Sequence, residues 1–443
     1  MAQAIPKAQA PEGKNFLYHL QAPNDNLLTY FEDIAQQGDI VQLGFLPAYL
    51  VNHPDYVQEV LVKQAKSFHK PNSVKHTVAQ FLGTQNLFSS DDAVWRALRK
   101  AEQPAFHMRR IGSYLSMMAE QTYTMLGSWQ SGQTLDFPQV MMDLTLSITS
   151  MSLFGQDIAN AKAGEAIIEF LDLFSDRITT PVPIPAWLPL SSNQRMKEAL
   201  KVADELLLPI IEERKASGED TGDILSMLLL AQQNDDTGIL TDLQVRNEVY
   251  NLFAAGYEVT ANTTAFTMYL IATHSTIYHQ LIAEIDNVLA DGQLTLDKVG
   301  QLTYLEQVIK ESMRLLPITA VVSRTATEDI RIGDYRIPKN AQVFVAPWAL
   351  HRRADIYPNP EQFDPNRFMP ENEKDIPKNA YIPFSTGPRV CLGSAFAMLQ
   401  MKTTLSLMLK QYQFNVADDY IFEPYWRFNT RLKHGLPLTI QAR

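Results

Sequence analysis

The chain has 443 residues, 46% of them hydrophobic, and a formal net charge of −11. That is enough apolar material for a large packed core, which argues against disorder over most of the length, while the acidic balance argues against nucleic acid as the main partner because phosphate binding needs clustered Lys and Arg. A single cysteine excludes an internal disulfide and any multi-cysteine zinc or iron–sulfur site, and no run of about 18 apolar residues predicts a membrane span.

Residues 1–14 contain no apolar stretch and read as a flexible tail rather than a secretion signal, which predicts cytoplasmic residence. Asn24 to Gln37 follows Pro23 with helical spacing, and then Val41, Leu43 and Phe45 alternate as in a strand. Leu46-Pro47 turns the chain into a second strand, Tyr49 to Asn52, and Pro54 opens a helix over Asp55 to Ala65. Ser90-Asp91-Asp92 offers N-caps for a helix that carries Trp95 and Arg99 on one face, four residues apart. Arg96, Lys100, Arg109 and Arg110 add a basic cluster to the same region. Taken alone, these are a surface cation–π pair and a solvated face. From Ser113 to Leu230 the pattern is mostly helical. It breaks at Pro181-Val182-Pro183-Ile184-Pro185 and Trp187-Leu188, between helices predicted over Ala163 to Ile178 and Asn193 to Lys215.

A long helix is predicted over Thr241 to Ala272, with Ala255-Gly256 near its middle. Mid-helix glycine costs about 1 kcal/mol against alanine, so either another helix packs closely there or another group approaches the backbone. Leu302 to Leu316 is the next helix, and it carries Glu311 and Arg314 at ion-pair spacing. Small strands are predicted at Ile330 to Ile332 and Tyr335 to Ile337, turned at Gly333-Asp334. From His351 to Cys391 the sequence is irregular and rich in proline, which is unusual in a compact domain unless the segment presents something. Tyr425 to Phe428 and Leu438 to Gln441 read as a final β-hairpin.

Phe384 to Gly393, Phe-Ser-Thr-Gly-Pro-Arg-Val-Cys-Leu-Gly, holds the lone cysteine. Such a residue is ordinarily a small buried hydrophobe. Here Gly387, Pro388 and Gly393 surround it, and an amphipathic helix over Ser394 to Lys410 follows. Cys391 therefore sits where a loop enters a helix, and unpaired N–H groups and the helix dipole favour a thiolate at that place. A soft anionic sulfur on a glycine-framed loop suits an iron ligand; Gly393 would leave room for a flat macrocycle, and Arg389 would reach its acidic edge.

This stretch resembles the haem loop of the cytochrome P450 family, Phe-x-x-Gly-x-Arg-x-Cys-x-Gly, at all five fixed positions: Phe384, Gly387, Arg389, Cys391 and Gly393. The resemblance implies a mainly α fold with a small β region, one domain over residues 15–443, and haem b between the long central helix and the helix after the cysteine. Cys391 would be the axial iron ligand, and Trp95, Arg99, Arg324, His351 and Arg389 would contact the propionates. Residues 70–87 would overhang the substrate, and the helices flanking the proline-rich break would form a lid. Ala255, Val259, Ala320, Val321 and Phe428 would line an apolar pocket. Glu311 and Arg314 would join Arg367, in Pro365-Asn366-Arg367-Phe368, as a structural clamp.

By the same resemblance the activity is that of a monooxygenase. It would insert one atom of dioxygen into a mostly apolar small molecule, with electrons from a ferredoxin or flavodoxin and its reductase, and the basic cluster would dock that donor. The missing N-terminal anchor leans towards a bacterial protein. One position departs from the family. In the segment Ala-Gly-x-Glu/Asp-Thr, here Ala255 to Val259, valine replaces the alcohol, and Thr260 lies roughly 100° further round the helix. Glu258 and Thr260 are then the candidate proton-handling residues. Either Thr260 substitutes through a distorted turn, or a water or substrate hydroxyl does. A peroxygenase, an isomerase and a non-catalytic haem sensor are the alternatives.

Overall fold

The computed structural model describes residues 27–44, 47–83, 85–158, 169, 172–174, 176, 177, 185 and 187–443. The expected tail, the start of the helix predicted from Asn24, Phe45, Leu46 and most of the segment from Ala163 to Ile184 lie outside the described residues. In chain order the first elements are α1 (Leu27–Ala35), β1 (Ile40–Gln42), β2 (Ala48–Val51), α2 (Pro54–Gln58), β3 (Phe68–His69), α3 (Asn72–Leu82), α4 (Asp92–Glu102), α5 (Met108–Ser113) and α6 (Leu115–Gly127). Next come β4 (Thr134–Asp136), α7 (Phe137–Phe154), α8 (Ser191–Ser217), α9 (Ile224–Gln233), α10 (Asp242–Thr273), α11 (Ser275–Val288), α12 (Leu296–Gln301) and α13 (Thr303–Leu315). The last part holds β5 (Val322–Ala326), β6 (Ile330–Ile332), β7 (Tyr335–Ile337), β8 (Gln342–Val345), α14 (Pro347–Leu350), α15 (Pro370–Glu373), α16 (Ser394–Gln411), β9 (Tyr412–Val416), β10 (Pro424–Trp426), β11 (Thr430–Leu432) and β12 (Pro437–Ala442). The mainly α fold with a small β region is as expected.

The chain divides into two compact units. The first comprises the described residues up to Asn72, Gln307–Cys391 and Phe422–His434. Its sheet has the order β1-β2-β8-β5-β3. Ile40 lies opposite Val51, Leu50 pairs in parallel with Phe344, and Val322 lies antiparallel to Val345. Alternate residues serve two cores. Ile40, Tyr49, Val51, Val343 and Val345 face one that contains Val57, Leu61, Ile332 and Ile337, while Val41 and Leu50 face Phe31 and Ile34 of α1. The helix expected over Asp55 to Ala65 is not uniform. It runs as α-helix only to Gln58 and then opens into a π turn at Glu59–Lys63, where the Gln64 N–H reaches the Glu59 carbonyl at 2.9 Å.

The second unit comprises Ser73–Glu306, Leu392–Ile421 and Gly435–Arg443 and is largely helical. Its axis is α10, whose N-cap Thr241 accepts from the Gln244 N–H at 3.3 Å. Most of α10 is buried, and α7 crosses it at Gly256. A Cβ on Gly256 would lie 3.0 Å from Thr149 Cγ2, so close helix packing accounts for this glycine. Helix α16 is buried almost continuously from Leu399 to Leu409, with Lys402 paired to Glu306 at 3.0 Å.

The predicted final hairpin is corrected. β10 pairs with β11, whereas β12 pairs with β9 and β4, setting Leu438 against Val416 and Leu135. The shorter loop closed the β10–β11 ribbon, and β12 found apolar partners remote in sequence.

Candidate active site

The loop before Cys391 is held by its own backbone. The Cys391 N–H donates to the Phe384 carbonyl at 2.9 Å, the Val390 N–H to Gly387 at 3.1 Å, and the Ser385 N–H to Ile382 at 3.0 Å. Ser385 and Gly387 both take the left-handed conformation, at φ +61° and +75°. Gly387 has no alternative, because a Cβ there would lie 2.0 Å from the Leu61 carbonyl oxygen in the π turn. Cys391 is exposed at the end of this loop. Gly393, the N-cap of α16, has ordinary backbone angles (φ −84°), and a Cβ there would meet only Phe106, at 3.9 Å. Neither backbone conformation nor packing demands glycine at 393, so the space beside it is open to a flat group lying against the chain.

The middle of α10 shows the same openness. Leu252, Ala255 and Val259 form a half-buried to exposed apolar stripe on a helix otherwise embedded in the unit, at the i, i+3, i+7 spacing of one face. Glu258 and Thr260 are buried, at 2% and 6% exposure. The helix stays regular through this region, and the Thr263 and Thr264 hydroxyls donate to the carbonyls of Val259 and Thr260 at 2.7 and 2.8 Å. Val259 thus lies on the open stripe and Thr260 does not.

On α4, Trp95 and Arg99 line an open surface groove of about 490 Å³ together with Arg96, Lys100, Gln103, Pro104 and His107. Of the remaining cations in this region, Arg109 is exposed, while Arg110 packs 3.1 Å from the Cβ position of Gly222. In the first unit, Arg324 is buried on β5 with Nη1 donating to the Ser323 carbonyl at 2.8 Å, and Arg389 is half-buried. Ala320 is fully buried, whereas Val321, Phe384 and Phe428 are half-buried.

Glu311, Arg314 and Arg367 come together. Arg314 donates from Nε and Nη2 to the two Glu311 oxygens at 2.7 and 2.8 Å, and both side chains have zero exposure. Arg367 Nε reaches Glu311 Oε1 at 3.3 Å, and the Asp364 N–H reaches the same oxygen at 3.0 Å. The free ends are also satisfied: Arg314 Nη1 donates to the His351 carbonyl at 2.9 Å, and Arg367 Nη2 to the carbonyls of Pro358 and Asn359 at 2.7 and 3.0 Å. Burial pushes the Glu311 carboxyl up, against the pull of Arg314.

The cytochrome P450 family model matches residues 9–425. The chain belongs to the cytochrome P450 family. It is 32% identical over 411 residues to cyclooctatin synthase of Streptomyces melanosporofaciens, covering 91% of this chain and 89% of that protein. It is 31% identical over 410 residues to cyclooctat-9-en-7-ol 5-monooxygenase of the same organism, covering 91% and 88%. The crystal structure of the cytochrome P450DA heme domain superposes with a TM-score of 0.88 at 26% identity, covering 100% of this chain and 98% of that one. The protein is accordingly a P450 monooxygenase, and its cofactor is haem. The residues fit that group: an exposed thiol ends a rigid loop, open space lies at Gly393, and the stripe on α10 is apolar. Among the described residues no helix is long and apolar enough to cross a membrane.

The structure places His351 within the surroundings of the clamp of this P450. Its ring is fully buried, Nε2 accepts from the Ile382 N–H at 2.9 Å, and Tyr381 packs on it at 5.4 Å. Burial, reinforced by Arg314 and Arg352, lowers its pKa to about 3, so the ring is neutral. Sequence reasoning missed the next residue. Arg352 stacks over Trp348 at 3.9 Å and donates to the Leu315 carbonyl at 2.5 Å, capping the end of α13. The cue available was the His-Arg-Arg run itself, in which only the histidine was weighed.

The loop geometry carries a direct prediction. Gly387→Ala adds a methyl group to a backbone contact and forces an unfavourable φ, so soluble holoprotein should fall severely. Gly218→Ala, at φ +63° with nothing within 4 Å, should show only the small left-handed penalty, on the order of 1 kcal/mol. Thermal unfolding of both variants makes the comparison; equal midpoints would show that the Leu61 contact does not constrain the loop.

Proposed function

We propose that this P450 hydroxylates a mostly hydrocarbon substrate that already bears an alcohol, and that the substrate's own hydroxyl does what the side chain at position 259 does not. The observation that carries the reading is the open stripe on α10. It presents Leu252, Ala255 and Val259, all apolar, while Thr260 is turned into the packed unit. The name of one relative, cyclooctat-9-en-7-ol 5-monooxygenase, specifies an unsaturated alcohol as what that protein acts on.

In this reading Cys391 would hold the haem iron through its sulfur, and the bound haem would supply the activation of dioxygen for attack on a C–H bond. Trp95, Arg99, Arg324 and Arg389 would pair with the carboxylates of the cofactor, Phe384 and Gly393 would help hold it, and His351 would act through the clamp. Ala255, Val259, Val321 and Phe428 would serve as apolar lining that positions substrate and excludes water, whereas Ala320, with no exposed surface, is packing rather than lining. Glu258, buried on α10, is the proton-handling candidate. Residues 15–443 are read as one functional domain. Arg96, Lys100 and Arg109, all exposed, with Met108 at 62% exposure among them, form the docking face for an acidic ferredoxin or flavodoxin.

The test is the yield of product per NADPH consumed. With a substrate that lacks hydroxyl groups, Val259→Thr should raise the yield several-fold over wild type and lower peroxide release correspondingly. With a hydroxyl-bearing substrate the two should differ little, and Thr260→Val should match wild type with both. A drop for Thr260→Val would assign the proton role to Thr260 instead. Equal turnover with peroxide and with the reductase chain would favour the peroxygenase alternative.

A further inference from the structure

Helix α10 grips the segment 85–89 along one face. Gln244, Asn247 and Glu248 stand at i, i+3 and i+4 spacing. Gln244 Nε2 donates to Gln85 Oε1 at 2.9 Å, Asn247 Nδ2 to the Gln85 carbonyl at 3.2 Å, and Glu248 Oε1 accepts from the Leu87 N–H at 2.7 Å. The segment is also tied to itself, since Asn86 Oδ1 accepts from the Ser89 N–H at 2.9 Å.

Next to Glu248 lies Glu102, the last residue of α4. It is 1% exposed, and neither of its carboxyl oxygens has a hydrogen-bond partner among the described residues. The group that acts on it is the carboxyl of Glu248, itself fully buried and also contacted by Asn251 Nδ2 at 3.3 Å. Two ionised carboxylates in that position repel each other in a medium of low dielectric, and two acceptors make no bond unless a proton lies between them.

The surroundings offer little other charge. Arg99 is the one cation that acts on Glu102. Helix α9, which packs against α4, carries no charged residue; neither does the turn Gln103–Phe106, nor any described residue from Gly83 to Ser89. On α10, Arg246 is engaged by Asp204 of α8. Burial raises both carboxyls, Glu102 well above the ordinary carboxylate range and Glu248 to about 7; Glu248 raises Glu102 further, and Arg99 pulls it back. With no donor on either Glu102 oxygen, the approach of the two carboxyls calls for one proton held by the pair as a whole.

We propose that Glu102 and Glu248 form one acidic unit that holds a single proton and fastens residues 85–89 to α10, and that loss of this proton releases the segment. The sign follows from linkage. The fastened state binds a proton that the released state, with both carboxyls in water, does not hold above its ordinary value of about 4.3. Fastening is therefore at full strength below that value, weakens as pH rises, and levels off above the pair's own raised pKa. Between those limits the opening equilibrium shifts towards release by up to about tenfold per pH unit. If the proposed function is correct, this segment overhangs the substrate, and substrate affinity follows the same curve; the fastening itself does not rest on that reading.

The experiment uses the holoprotein. Amide exchange of the peptide spanning residues 85–89, corrected for the intrinsic rate at each pH, should show opening in wild type that increases more than tenfold between about pH 5.5 and about pH 7. Glu102→Gln keeps a donor towards Glu248 and removes the titration, so the same peptide should open equally at both pH values. A flat wild-type profile, or a Glu102→Gln profile as steep as wild type, overturns the proposal. Infrared spectroscopy of wild type alone is a second reading. A buried protonated-carboxyl band should be present at neutral pH and disappear on titration upward, and its absence at neutral pH overturns the proposal whether or not the variant folds.

Discussion

Cys391→Ser holoprotein is expected to lose the thiolate-type absorption band of its ferrous carbon monoxide complex and to lose product formation by on the order of 10³-fold or more. The chain has no second thiol to compensate. The loop itself should survive, because its ties are backbone ones: the N–H of residue 391 to the Phe384 carbonyl, and the Gly387 turn against Leu61. Serine is close in volume and is neutral at working pH, so the variant separates loss of the ligand's charge from loss of the fold. Circular dichroism and thermal unfolding should match wild type while the spectrum changes. A retained thiolate-type band in the variant would mean that Cys391 does not ligate the iron.

Glu311→Ala is expected to give little soluble holoprotein, with a loss of stability of about 3–5 kcal/mol, the size seen when one partner of a buried ion pair is removed. The geometry supports the upper part of that range. Glu311 and Arg314 have zero exposure, the pair is bidentate, and the same carboxylate also serves Arg367 and the Asp364 N–H, so its removal strands two guanidinium groups and one amide. Arg314 further supports the His351 carbonyl, which ties the clamp to the ring that receives the Ile382 amide, two residues before Phe384. Glu423→Ala makes a fair control, since its ion pair with Lys433 is about half exposed on both sides and should be dispensable. Denaturant midpoints and haem content of the two variants give the comparison, and similar behaviour would reduce the clamp to an ordinary ion pair.

What was legible in the amino-acid sequence was set within a few residues. Gly387 is readable because a left-handed turn admits little else, and Pro388 because its fixed φ starts the short turn that follows. Helices α10, α13 and α16 lie within about a turn of their predicted limits, since apolar periodicity and caps are local signals. Glu311 and Arg314 declare themselves by spacing on one helix. Arg367 was placed beside them by resemblance alone, because 56 residues separate it from Glu311 and no local rule joins the two.

Tertiary structure decided the rest, through pairings between residues remote in sequence. Gly256 was open to two readings, and the crossing of α7 at Thr149 selects helix packing. The parallel pairing of β2 with β8 brings residues 48–51 beside 342–345, and the partners of β12 proved to be β9 and β4 rather than the nearer β10. Nothing in the local sequence singles out Glu102, at the end of a basic helix. It became an acid without a solvent partner only when α4 met α10, because desolvation and the approach of a second carboxyl are properties of the packed chain and leave no mark on local spacing.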